Sequence, residues 1–136
     1  MTPQSQNKRS KIVIIDDNDD SRFIFRAFVE DRYEVIEFSD GQEAIAGMKQ
    51  SPPDIVFLDI SLPVFDGIEI LRRIREDEAL RHLRVIAFTA HSMMGDRERF
   101  LNLGFDGYLS KPINLDLMVQ IVEGTSRRPA ASAGAS

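Results

Sequence analysis

The sequence predicts a doubly wound α/β domain, a five-stranded parallel sheet with helices on both faces. Three observations lead there. From about residue 11 to residue 124, short runs of β-branched and apolar residues alternate with segments of helix length, and strict βα alternation implies parallel strands joined by right-handed crossovers. The runs KIVIID, DIVFLD and RVIAFT are continuously apolar rather than alternating, the pattern of strands covered on both faces. Finally, 136 residues of which 43% are hydrophobic suffice for one core of ordinary size and are too few to expect two.

In chain order the strands are KIVIID, YEVIEFS, DIVFLD, RVIAFT and GYLS, each bounded by turn-forming residues. Helical patterns cover roughly 20–31, 41–49, 66–77, 92–103 and 114–123, with breaks at Pro52, Pro53, Pro63, Gly104 and Pro112. In the first helix a turn of about 100° per residue gathers Ile24, Phe25, Phe28 and Val29 on one buried arc and points Phe23 away from it. Residues 1–10 and the low-complexity stretch 125–136 read as disordered tails. Lys8, Arg9, Lys11, Arg127 and Arg128 are read with those solvated ends.

Composition excludes several classes. With no Cys and only two separated His, disulfides, thiolate sites and a zinc cluster are ruled out, so any metal is held by oxygen. A net charge of -5 argues against nucleic acid as a ligand, which needs a basic face. The N-terminus MTPQSQNKRSK lacks the apolar run of a signal peptide, and no segment approaches membrane-spanning length. A cytoplasmic protein is expected.

The stretch IVIIDDNDDSR places four aspartates within five residues of a strand's end. Two like charges about 5 Å apart repel by roughly 3 kcal/mol at an effective dielectric near 20. In doubly wound sheets, groups that do chemistry collect at the carboxyl ends of the strands. Those ends are Asp16 and Asp17, Asp59, Thr89, and Ser110 with Lys111. Three carboxylates on one edge exceed what one Lys can neutralise, and Mg²⁺ suits a few carboxylates plus water and a substrate phosphate. Lys111 and the Thr89 hydroxyl fit phosphate oxygens. Asp59, ending an apolar strand, is the choice for a carboxylate that attacks phosphorus. Asp19 and Asp20 go with the helix that follows, Asp19 as its cap and Asp20 beside its positive end, with Asn18 separating the two pairs.

The set DD at 16 and 17, FLDISLPVFDG around Asp59, FTA around Thr89 and YLSKP ending in Lys111 and Pro112 resembles the receiver domain of bacterial response regulators, over nearly the whole folded part and in the same order. The resemblance implies a flavodoxin-like strand order 2-1-3-4-5. It makes Asp59 the phosphoacceptor, with Mg²⁺ (or Mn²⁺) bound directly by Asp17 and Asp59, mainly through water by Asp16, and by the main-chain carbonyl of Ser61. Thr89 matches the switch hydroxyl, Lys111 the phosphate-pairing lysine and Tyr108 the aromatic that turns inward on activation. The Lys111–Pro112 bond would be cis. Ala90 is small, as a site reached by donor and water requires. Leu62 stands where Met is common, and Ser61 and His91 occupy variable positions, read as setting the lifetime of the phosphoryl group. Phe23 is the candidate contact for a phosphodonor docking beside the first helix. His82 is given only a place in solvent.

Implied partners are a sensor histidine kinase or a histidine phosphotransfer protein and a downstream protein target, with the chain a monomer or weak dimer, free of membrane and nucleic acid. A single-domain regulator is expected, since the residues after 124 are too few for a DNA-binding output domain; a phosphorelay intermediate and the receiver of a hybrid kinase are the alternatives. A metal-dependent phosphatase of the haloacid dehalogenase type would need an acid–base Asp where Ser61 stands. In a flavin-binding domain the acidic DDNDD loop would repel the cofactor's phosphate.

Overall fold

The computed structural model describes residues 10–60, 67–90 and 95–124. Its strands are β1 (Lys11–Ile15), β2 (Glu34–Phe38), β3 (Ile55–Asp59), β4 (Arg84–Thr89) and β5 (Gly107–Ser110). Between and after them run α1 (Asp19–Val29), α2 (Gly41–Gln50), α3 (Gly67–Glu76), α4 (Asp96–Leu103) and α5 (Leu115–Gly124). All strand pairs are parallel, in the order β2-β1-β3-β4-β5. The doubly wound architecture is the one the alternation implies, and the order is the flavodoxin-like one.

Alternate residues of the central strands serve two cores. Val13, Ile15, Val56, Leu58, Val85 and Ala87 face α2, α3 and α4, packing on Met48, Ile70, Ile74 and Phe100. Ile12, Ile14, Ile55, Phe57, Ile86 and Phe88 face α1 and α5, packing on Phe25, Val29, Met118 and Val122. Because both sets are buried, the central strands read as unbroken apolar runs. Phe25, Phe57 and Phe88 meet edge to face, their centroids 5.2, 5.7 and 6.3 Å apart, the geometry that ring quadrupoles favour. No helix of the described residues is long and apolar enough to cross a membrane.

Several local expectations are corrected. Asn18, not Asp19, caps α1: its side chain accepts the Ser21 N–H at 2.8 Å, and Asp19 and Asp20 fall within the first turn. Lys11 belongs to β1, where its N–H donates to Asp54 at 2.7 Å and its ammonium to Ser51. Tyr33 lies just before β2, buried, with its hydroxyl donating to Glu123 of α5 at 2.7 Å. Of the arc expected on α1, only Phe25 and Val29 are buried; Ile24 is 48% and Phe28 42% exposed. His82 is exposed, as expected.

Candidate functional site

Strand register assembles the site. Ile15 pairs with Leu58 and Asp59 with Phe88, so Asp16 emerges beside Asp59 at the carboxyl ends of the central strands. Thr89 pairs with Ser110, and the Lys111 N–H donates to the Thr89 carbonyl at 2.9 Å, bringing Lys111 to the same edge. Gly67 lets α3 start directly against the end of β3. A Cβ there would lie 2.6 Å from the Asp59 carbonyl oxygen and 2.4 Å from Ile60 Cα, closer than real Cβ contacts allow.

Asp16, Asp17 and Asp59 each bring one carboxylate oxygen to within 4.8 Å of the others. Asp16 and Asp59 are buried, whereas Asp17 is exposed. The Lys111 ammonium lies 2.8 Å from Asp16 Oδ2, 3.6 Å from Asp59 Oδ2 and 3.3 Å from the Ser21 hydroxyl, with the Phe88 ring centroid at 5.2 Å. Asp16 Oδ1 accepts the Asn18 N–H at 3.0 Å. When all four groups are ionised, three carboxylates face one ammonium, a net of two negative charges. Oxygen donors with that excess fit a hard divalent cation.

Thr89 is buried at the end of β4, and Tyr108, on β5, is half-buried with its ring 5.4 Å from that of Phe100 on α4. The Lys111–Pro112 peptide is cis. Phe23 is 72% exposed on α1. Ser61, Leu62 and His91 lie outside the described residues. The three acidic residues and Lys111 are therefore brought together, Thr89 joins the same sheet edge, and Phe23 stands apart on the flanking helix.

Two features escaped the sequence reading. An apolar groove of about 530 Å³ opens beside the acidic cluster, walled by Ile24, Phe28, Ala90, Lys111, Pro112 and Ile113. Arg22 reaches the main chain of Asp16. The only signal for the second was a cation set among four aspartates.

A family model for the response regulator receiver domain matches residues 12–123. The chain belongs to that family. Among the receiver's relatives, the polar-differentiation response regulator DivK of Brucella ovis is 36% identical over 113 residues, which make up 82% of this chain and 92% of that protein. The receiver domain of the Pseudomonas aeruginosa sensor histidine kinase PA1611, solved with a magnesium ion coordinated in its active-site cleft, superposes with a TM-score of 0.77 at 31% identity, covering 85% of this chain and 96% of that one. The receiver domain of Saccharomyces cerevisiae Ssk1, solved with the histidine phosphotransfer protein Ypd1, gives 0.75 at 25% identity, covering 88% and 90%. As a receiver domain, the chain is of the signalling-switch kind.

Proposed function

We propose that this receiver accepts a phosphoryl group on Asp59, in a reaction requiring Mg²⁺ (or Mn²⁺), from a sensor histidine kinase or a histidine phosphotransfer protein, and that the modification switches contacts made by the Thr89/Tyr108 face. The single observation that carries this reading is the convergence of Asp16, Asp17, Asp59 and Lys111 at the carboxyl edge of the sheet. Asp17 and Asp59 would hold the cation directly and Asp16 mainly through water; the resemblance adds the main-chain carbonyl of Ser61. The bound cation would neutralise charge on the phosphoryl oxygens.

Asp59 Oδ forms the new O–P bond as the donor's P–N bond breaks, its electron pair returning to the imidazole nitrogen. Lys111, held now by Asp16, supplies a positive charge to the transferred oxygens. The buried Thr89 hydroxyl donates toward the new dianion. Tyr108, its ring tilted against that of Phe100, couples that movement to α4, so that two packings of α4, β5 and α5 exchange. On the resemblance, Ser61 and His91 tune how long the phosphoryl group survives.

The groove beside Lys111 and the exposed Phe23 receive the phosphodonor, for which α1 is a flank of the phosphorylation site rather than a remote face. The yeast complex, a receiver bound to a phosphotransfer protein, supports that class of partner. The test is intact mass after incubation with acetyl phosphate and Mg²⁺. Wild type gains one phosphoryl group, while Asp59→Asn, or wild type with chelator, gains none; a folded wild type that stays unmodified overturns the reading.

A further inference from the structure

Arg22 sits on the first turns of α1 with a side chain only 14% exposed. One guanidinium nitrogen, Nη1, donates to the main-chain oxygen of Asp16 at 2.6 Å. Nε donates to Glu37 Oε1 of β2 at 3.2 Å, and Nη2 pairs with Asp19. Glu37 is itself gripped from the other side, by Arg26 Nε at 2.5 Å, while Arg26 Nη2 donates to the Val35 carbonyl at 2.9 Å. On the opposite side of Asp16, its N–H donates to the Phe38 carbonyl at 3.0 Å. The main chain of Asp16 is thus held at both its polar atoms.

A peptide unit is planar, so the carbonyl oxygen of residue 16 and the Cα of residue 17 move as one rigid plate. Fixing that oxygen fixes the direction in which the chain enters Asp17. Asp17 is the exposed member of the acidic trio, on the turn leading into α1, where nothing in the sheet ladder sets its direction. We propose that Arg22 is a positioning residue for cation binding: through the Asp16 carbonyl it aims the Asp17 carboxylate at those of Asp16 and Asp59, with Glu37 on the edge strand holding the guanidinium in place. The proposal rests on the reading that this cluster binds Mg²⁺.

Electrostatics alone would give the opposite sign. Arg22 is a cation beside a cation site, and removing it should by field alone tighten Mg²⁺. Glu37 and Asp19, however, already balance its charge, so the loss of orientation outweighs the gain in field. Groups that hold a metal's ligands in place typically cost about tenfold or more in affinity when removed.

The test uses the full chain and Mg²⁺ itself, measured by titration calorimetry, with thermal unfolding in chelator and in saturating Mg²⁺. Arg22→Met weakens Mg²⁺ by about tenfold and shrinks the Mg²⁺-induced rise in Tm. Arg22→Lys, which keeps the charge but not the three-way fork, falls between wild type and Arg22→Met. Glu37→Gln gives a smaller weakening in the same direction. If Arg22→Met binds Mg²⁺ as tightly as wild type or more tightly, or lowers Tm equally with and without Mg²⁺, Arg22 has no positioning role. Should Arg22→Met fail to fold, unchanged affinity in both Arg22→Lys and Glu37→Gln overturns the proposal. A wild type that binds no Mg²⁺ overturns the cation reading beneath it, an outcome distinct from wild-type binding that the variants leave intact.

Discussion

Replacing Asp17 by Asn should change the stability of the protein in opposite senses without and with Mg²⁺. Asp17 stands within 4.8 Å, oxygen to oxygen, of two buried carboxylates. Each repulsion is worth roughly 3.5 kcal/mol at an effective dielectric near 20 and about 0.9 kcal/mol in water. Asp17 is exposed, so the lower figure applies; the Lys111 ammonium beside both partners offsets about one of the two repulsions, and removing the charge of Asp17 relieves about 1 kcal/mol. For a domain of this size that corresponds to a Tm roughly 3–5 °C higher in chelator. Wild type, in contrast, gains from the ion: at a hundredfold excess over the dissociation constant, binding to the folded state alone adds about 2.7 kcal/mol. Asp17→Asn loses most of that gain, because an amide is a poorer ligand than a carboxylate for a hard cation. Thermal unfolding followed by circular dichroism, in EDTA and in millimolar Mg²⁺, measures both halves. The reasoning is refuted if Asp17→Asn is less stable than wild type in EDTA, or if Mg²⁺ raises the two melting temperatures equally.

Two further outcomes follow from the surface and the core. Phe23→Ala should slow phosphoryl transfer from a histidine donor that modifies the wild type by about tenfold, equivalent to about 1.4 kcal/mol at the transition state. Transfer from acetyl phosphate and the melting temperature should stay unchanged, since the ring is 72% exposed; equal rates from the protein donor would remove Phe23 from the docking surface. Burial, with the hydrogen bond to Glu123 second, pushes the Tyr33 hydroxyl up to about 12. Its folded-state value is raised above the ordinary one near 10, so its contribution to stability is full below about pH 10 and is lost as pH rises toward 12. Ultraviolet titration should show one late phenol that Tyr33→Phe abolishes, and the variant's stability should fall less steeply across that window; a late phenol that persists in Tyr33→Phe would contradict the assignment.

The order of elements and the acidic edge were legible for a shared reason. A strand covered on both faces has no polar position until it leaves the sheet, so the first carboxylate after IVII or IVFL marks the carboxyl end. What composition could not decide is which of several equivalent groups takes a given job. Asn18 and Asp19 are equally good caps by type, and Asn18 wins because α1 begins at residue 19, one residue beyond it. Lys11 looked like part of a solvated end, yet its main chain continues the ladder with β2 as far as Glu34.

The two larger surprises on α1 share one cause. Taking Phe25 as zero at about 100° per residue, the apolar arc of Ile24, Phe25, Phe28 and Val29 centres near -30°, whereas Arg22 and Arg26 lie near +60° and +100°. Hydrophobic periodicity alone would turn the -30° direction to the sheet. Both arginines instead reach inward, to Glu37 and to the carbonyls of Asp16 and Val35. The helix is accordingly rolled toward β2, burying Phe25 and Val29 and lifting Ile24 and Phe28 off the core into the wall of the groove beside Lys111. Electrostatic anchoring of α1 therefore does two things at once. It fixes the main chain that carries Asp16 and Asp17, and it presents an apolar lip next to Lys111, where the proposed phosphodonor would dock. Breaking the Glu37 anchor should disturb both cation binding and donor docking, although Glu37 itself lies on the edge strand and lines neither the acidic cluster nor the groove.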